Sequence, residues 1–326
     1  MCKRSILVTG ASGFIGRALC AELVNAGHKV VGAVRSEPSE RITGVNYITV
    51  GDINSETQWT SYLDDVDVII HLAARVHQLN ENTNDLIKKY RKVNVEGTLH
   101  LANSALNANV RRFIFLSSIK ANGEKTVKGM HFSAQSTPEP CDPYGISKYE
   151  AEVSLKALTS DTNLDIVILR PPLVYGPKVG GNFIRLLGII SKGMPLPFGA
   201  VNNKRSMIFL YNLTDVIRVC IDHPKAAGKV LLVSDKEDLS TAELITKIAS
   251  IMKKNILLLS IPIVFMHKLA TLLGKKQEIE RLCESLSLDI DETTQLLDWV
   301  PPISMDEGLT QTIAWYHDAF NTHKRQ

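Results

Sequence analysis

The sequence predicts an α/β fold: a doubly wound parallel sheet with a smaller, mostly C-terminal α/β lobe. Three observations predict it. Short apolar, β-rich runs alternate with segments of helical periodicity as far as Arg170. That alternation means crossover units and parallel strands covered on both faces. Beyond Arg170 the chain is punctuated by Pro171-Pro172, Gly176-Pro177 and Gly180-Gly181, the departure into a second lobe. Finally, 326 residues with 44% hydrophobic content suffice for a full core and two lobes.

Taken in order, residues 5–9 are a short strand. Residues 14–26 have helical periodicity, with Leu19, Leu23 and Val24 on one face, and end at Gly27. Strands follow at 29–34 and 45–50, a short helix begins at 59–63, and 66–72 is a mostly apolar strand. Residues 85–108 form a long helical pattern, 112–116 a strand, 148–159 a helix and 164–169 a strand. The stretch 193–199, bounded by glycines, belongs to the excursion. The run 207–210, the helix 214–223 and the strand 230–233 are expected to return to the sheet. The rest, 241–326, is helical and loop-rich. The division is therefore 1–172 with 206–235 in the first lobe, and 173–205 with 236–326 in the second.

Bulk properties exclude several function classes. The chain carries 37 basic and 34 acidic residues, a net charge of +3, and no Lys/Arg block dense enough for a nucleic-acid surface. Cys2, Cys20, Cys141, Cys220 and Cys283 are scattered, odd in number and without a C-x-x-C pair. They read as reduced thiols in the cytoplasm, with no disulfide frame and no metal site. The apolar start before Gly10 is too short for a signal peptide. The apolar stretch 256–266, interrupted by Pro262, falls short of the ~20 residues of a membrane span. It reads as a buried segment of the second lobe, with interfacial membrane contact as the alternative.

The glycine turn carries the first chemistry. Gly10, Gly13 and Gly16 follow a strand and open a helix, with Ser12, Phe14 and Ile15 between them. A helix starting here offers free N–H groups and a positive dipole end to a pyrophosphate. Such glycines also serve ordinary turns; their place between strand and helix selects the dinucleotide reading. The next strand ends Ala33-Val34-Arg35-Ser36, without the acid that would bind a ribose 2′-OH. Arg35 suits a 2′-phosphate, which favours NADP(H) over NAD(H), unless it is simply a solvated arginine. Asp52 and Ile53 end the third strand, to bind adenine edges or to cap the next helix. His71 reads as a packed histidine. Leu72, Ala73 and Ala74 let a dinucleotide lie against backbone, and mid-helix Asn94 is expected to bond backbone or water.

The second motif is Tyr144-Gly145-Ile146-Ser147-Lys148, after Pro143 at a helix start. It puts a phenol and an ammonium on one side of a helix. The ammonium is expected to lower the phenol's pKa from its usual ~10. Ser118 closes the strand 112–116 and can hold a substrate oxygen while Tyr144 moves the proton. A Y-x-x-x-K pair alone would be an ordinary helix pair. With the glycine turn and the serine strand end it describes hydride chemistry on an alcohol or ketone.

These motifs, with HLAA at 71–74, NVEGT at 94–98, LSSIKANG at 116–123 and LRPPLVYGP at 169–177, carry a resemblance. The chain resembles the extended short-chain dehydrogenases/reductases of the nucleotide-sugar epimerase/dehydratase family, nearly end to end. The resemblance implies a Rossmann-type fold with the second lobe binding substrate. It gives catalytic roles to Ser118, Tyr144 and Lys148, with Lys148 also on the nicotinamide ribose. It places Asn182, Arg205 and Arg281 on the UDP portion, and pairs helices 85–108 and 148–159 across a homodimer axis. Departures narrow the reaction. Sugar 4,6-dehydratases carry Thr-Asp-Glu where this chain has Ser118-Ile119-Lys120. UDP-galactose 4-epimerases usually carry an acid at Val34's position and a Tyr near Asn122. The segment 117–124 resembles that of bacterial UDP-N-acetylquinovosamine dehydrogenases. The expectation is therefore reduction by NADPH of a UDP-4-keto-6-deoxy-N-acetylhexosamine in surface-polysaccharide (O-antigen) synthesis. The alternative is a UDP-glucose or UDP-GlcNAc 4-epimerase with bound NAD; a non-catalytic dinucleotide-binding sensor is more remote. The carrier, UDP or a lipid diphosphate, stays open.

Overall fold

Alternation along each strand sets the architecture. In β1 (Ser5–Thr9), Ile6 and Val8 join one buried cluster while Leu7 joins another. Both faces of a strand are thus apolar, as a fully covered parallel strand requires. The computed structural model describes residues 3–76, 85–160, 162–272 and 276–321; Cys2 lies outside them.

The main sheet also contains β2 (Lys29–Val34), β3 (Val45–Thr49), β4 (Val68–His71), β5 (Arg112–Leu116), β6 (Asp165–Arg170) and β9 (Val230–Leu232). Its order is β3-β2-β1-β4-β5-β6-β9, parallel throughout. The chain reverses its direction of winding between β1 and β4, the switch point where α/β sheets hold ligands. Register aligns the strand ends there: Thr9 lies opposite Ala33 on one side and His71 on the other.

Helices α1 (Phe14–Asn25) and α6 (Leu210–Asp222) cover one face through Leu19, Leu23, Val216 and Ile217. On the other lie α3 (Thr98–Asn107) and α4 (Pro143–Thr159), through Leu101, Ala102, Ala151 and Leu155. The predicted helix 85–108 is helical from end to end but not uniform. α2 (Leu86–Arg91) runs into a π-helical turn, Lys92–Gly97, before α3. Pro143 starts α4 as expected, with Asp142 accepting from the Gly145 N–H at 2.6 Å as N-cap.

The expected return of 207–210 to the main sheet does not occur. β8 (Arg205–Phe209) pairs instead with β7 (Leu173–Tyr175) and with β10 (Asp238–Leu239) in a separate three-stranded sheet. The edge beside β6 is taken by β9, through Ile168 opposite Val230. A second core forms on this small sheet from Tyr175, Phe209, Ile245, Ile248, Leu309 and Ile313. The helices around it are α5 (Gly181–Ser191), α7 (Thr241–Ile251) and α11 (Met305–Asn321). α8 (Ile263–Leu272) and α9 (Lys276–Cys283) lie beside it, and α10 (Asp291–Leu297) packs near β9. No helix among the described residues is long and apolar enough to cross a membrane.

Candidate active site

The glycine turn is built without room for side chains. Gly10 has φ +68°, and a Cβ on Gly16 would lie 2.1 Å from the Gly10 carbonyl oxygen. The turn closes by a 3.0 Å hydrogen bond from Gly13 N–H to the Gly10 oxygen. Gly13 is the N-cap of α1 with no side-chain cap, and no acid sits in the first turn. The opening N–H groups of α1, at Phe14 and Ile15, therefore carry the helix's positive end to an anion. Ser12 and Gly13 are exposed, while Phe14 and Ile15 are half-buried. A dinucleotide pyrophosphate fits this cradle.

Beside the turn, Thr9, His71 and Thr98 form a buried chain. The Thr9 hydroxyl bonds His71 Nδ1 at 2.8 Å and His71 Nε2 bonds the Thr98 hydroxyl at 3.0 Å. Burial, and secondarily the charge of Lys148, push His71 down to about 3. It is a neutral, packed histidine. Thr9 also accepts from the Ala73 N–H at 3.1 Å, fixing the half-buried segment Leu72, Ala73 and Ala74. Asn94 sits in the π-helical turn and bonds both backbone groups of Arg75, accepting at 2.8 Å and donating at 3.1 Å. It also donates to the Ser147 hydroxyl at 2.9 Å, joining this loop to α4 beside Lys148.

Ser118 ends the stretch after β5 in extended backbone and accepts from the Lys120 N–H at 3.2 Å. Its hydroxyl lies near enough to the Tyr144 phenol to lower that group's pKa. The phenol of Tyr144 packs edge-on to Tyr90, ring centroids 6.2 Å apart. Lys148 is buried, its Nζ 4.1 Å above the Phe115 ring centroid. Ser118, Tyr144 and Lys148 thus converge at the C-terminal end of β5.

The expected lowering of Tyr144 by Lys148 is corrected. Burial, then the charge of Asp142, then Tyr90 hold the phenol above its ordinary value, and only the Ser118 hydroxyl opposes them. Burial pushes Lys148 itself down to about 7, with Glu152 resisting. Burial thus leaves Lys148 with less charge near neutrality than its spacing from Tyr144 alone implies.

Behind the site lies a network that the sequence reading passed over. Arg170 donates to Glu152 through Nε at 2.9 Å and through a second, shorter contact, and to Asn122 Oδ1 at 2.9 Å. Ser117 donates to the same Glu152. All four side chains are buried. The spacing of Glu152 four residues after Lys148 was the available signal. Lys120 bridges Asp142 and Glu124, so it faces the negative N-cap of α4.

The ends of β2 and β3 are different. Arg35 and Asp52 stand at the ends of β2 and β3, 3.7 Å apart and both more than three-quarters exposed. Ile53 is buried beside Gly97. In the second lobe, Arg205 donates to the Glu284 carbonyl at 3.0 Å, and burial and then the charge of Arg281 lower its pKa. Arg281 is thus near enough to Arg205 for its charge to be felt there. Asn182 is exposed in the first turn of α5 and accepts from Arg185 at 3.5 Å, away from both arginines.

Residues 6–233 match the NAD dependent epimerase/dehydratase family. The chain is 41% identical over 319 residues to UDP-glucose 4-epimerase of Vibrio cholerae, covering 98% of this chain and 97% of that one. It is 25% identical to N-acetyl-alpha-D-glucosaminyl-diphospho-ditrans,octacis-undecaprenol 4-epimerase of Escherichia coli O157:H7, covering 95% of each. The structure of UDP-glucuronic acid 4-epimerase from Bacillus cereus with UDP-glucuronic acid and NAD superposes with TM-score 0.77 at 25% identity. It covers 97% of this chain and 100% of that one.

Proposed function

The chain belongs to the NAD dependent epimerase/dehydratase family, enzymes acting on nucleotide sugars, and from that premise we propose that it inverts C4 of a UDP-linked hexose. One observation carries the reading: the 41% likeness to a UDP-glucose 4-epimerase over 98% of the chain. The convergence of Ser118, Tyr144 and Lys148 supplies the chemistry. This displaces the reductase as the leading reading. Reduction rested on segment 117–124 and on the missing acid after Val34, and the likeness to named epimerases supports the epimerase better.

The cradle from Gly10 to Gly16, the wall Leu72 to Ala74, Asn94 and Ile53 would hold the dinucleotide, with Lys148 on the nicotinamide ribose. When bound, the nicotinamide supplies an acceptor and donor of hydride at C4. Tyr144, in its phenolate form beside Lys148 and the positive charge that an oxidised nicotinamide would bring, takes the C4 hydroxyl proton at its oxygen and later returns it. Ser118, beside that phenol, orients the sugar oxygen. Arg205 and Arg281 would grip the diphosphate, with Asn182 at its margin. We favour NAD(H) over NADP(H) as the resident cofactor. Asp52 lies 3.7 Å from Arg35, so a 2′-phosphate would have to compete with a carboxylate for that guanidinium. A cytoplasmic homodimer built on α3 and α4 completes the proposal.

The test is purified protein with UDP-glucose or UDP-GlcNAc and no added cofactor. The C4 epimer should accumulate to equilibrium with no net change in reduced-nicotinamide absorbance. Absence of epimer, with NADPH oxidised on a 4-keto-6-deoxy sugar nucleotide, would restore the reductase. A second reading, a lipid-diphosphate sugar, is favoured by the undecaprenol-linked relative. It predicts faster turnover of that carrier than of UDP.

A further inference from the structure

The second lobe exposes an apolar surface that its core leaves bare. From Leu244 to Gln277 the sequence contains no aspartate or glutamate, while Lys247, Lys253, Lys254, Lys268, Lys275 and Lys276 lie within it. The underside of this stretch is committed. Met266 is buried in the second core, and Leu258 and Ile263 pack against that core. The outer side is not. Val264 and Phe265 are each 64% exposed, Leu257 61% and Leu272 83%.

Helix geometry gathers these residues. Val264, Lys268 and Leu272 are spaced four apart on α8, and Phe265 is one turn from Lys268, so all four share one face. The strand-like segment before α8 extends the surface. Leu196 donates from its N–H to the Leu257 carbonyl at 2.9 Å and accepts from Leu259 at 2.8 Å. That pairing brings exposed Met194 alongside Leu257 and Leu259. Exposed Lys192, Lys253 and Lys254 flank the pair. Lys247 is already held by Asp306 and Glu237 and does not contribute.

We propose that this face, centred on Val264, Phe265 and Leu272 and flanked by Lys253, Lys254 and Lys268, docks the protein on the anionic surface of a phospholipid bilayer. Charge complementarity selects that occupant. Apolar side chains with lysines and no acid match an interface whose headgroups carry negative charge above an acyl boundary. A second copy fits poorly, because an isologous contact would set lysines against lysines. Docking would hold α8 flat on the membrane and bring α9, which packs on α8 and carries Arg281, close to the headgroups. The proposal rests on this surface and not on the choice of sugar or carrier.

The test is co-sedimentation of the full chain with vesicles of phosphatidylcholine alone or of phosphatidylcholine with phosphatidylglycerol. The protein should partition onto the anionic vesicles and be released by high salt. The triple variant Val264→Ser, Phe265→Ser, Leu272→Ser should lower partitioning at least ~10-fold. Lys253→Gln, Lys254→Gln, Lys268→Gln should abolish the preference for phosphatidylglycerol. Because these side chains are exposed, both variants should keep the melting temperature of the parent and its turnover of UDP-sugar. Wild-type protein that stays in the supernatant with anionic vesicles would overturn the proposal. So would undiminished binding by the serine variant, or a change in its oligomeric state by light scattering without lipid, which would assign the face to another copy. Failure of the epimerase assay leaves the vesicle result unaffected.

Discussion

The two ends of the dinucleotide cleft are built by opposite means. At one end, proposed as catalytic, Glu152, Arg170, Ser117 and Asn122 are buried and hydrogen-bonded into one another across β5, α4 and β6, with Lys148 buried over the Phe115 ring beside them. At the other end, proposed to read the ribose, Arg35 and Asp52 meet in water at 3.7 Å, attached only through their own strand ends. Burial makes the first arrangement costly to alter. Solvent makes the second cheap to alter and easily screened. On the proposed assignment, chemistry is fixed in the frame and cofactor choice hangs on adjustable side chains.

The contrast is sharpest at Tyr144. Tyr144→Phe keeps the ring packed on Tyr90 and removes only the hydroxyl. Turnover should fall on the order of 10²–10⁴ while the melting temperature holds. Near-normal turnover would break the assignment of proton transfer. Next in size is Arg170→Met. It leaves Glu152 buried without its cation, and should cost about 3–5 kcal/mol in urea unfolding. A loss no larger than at a surface pair would show that the network behind the site is not a rigid frame.

His71 gives a pH-dependent test. Its pKa is lowered from 6.5 to about 3 in the folded protein, so below 6.5 the unfolded chain binds the additional proton. This contribution is complete above 6.5 and is lost as pH falls toward 3, at up to ~1.4 kcal/mol per pH unit. Urea unfolding of His71→Gln should lack that part of the slope. An identical slope in the variant would assign the acid sensitivity elsewhere. The smallest effect belongs to the exposed end. Arg35→Ala should leave stability nearly unchanged, and under the NAD reading should alter NAD affinity only a few-fold. A loss of NADP affinity of roughly tenfold or more, with NAD spared, would return Arg35 to the role of phosphate reader.

The same division explains what was legible in the sequence. The strands of the main sheet, the glycine turn and the serine, tyrosine and lysine positions announce themselves through period, spacing and order along the chain. Gly16 is dictated by a backbone oxygen that no side chain could clear. The placement of β8 was not legible, because an apolar run does not say which of two sheets it joins. The order of β6 and β9 in space decides it. The state of Tyr144 was not legible either. Spacing put Lys148 on the right side of the helix, but burial removes from that lysine much of the charge the spacing seemed to promise. Glu152 and Arg170 are 18 residues apart, and only the pairing of β5 with β6 beside α4 makes them partners.

The π-helical turn at Lys92–Gly97 also bears on how this chain can change in length. The wide turn holds one residue more than an α-helical turn without rotating the helix on either side of it, so Leu101, Ala102 and Ala105 keep their places on the sheet. The bulge falls at Asn94, whose side chain reaches Arg75 and Ser147. One residue removed there would let the helix close into an ordinary spiral with α3 still seated, and would draw Asn94 away from both partners. The chain can thus shorten at this turn and keep its core, while the tie between the loop after β4 and α4 is the part that is lost.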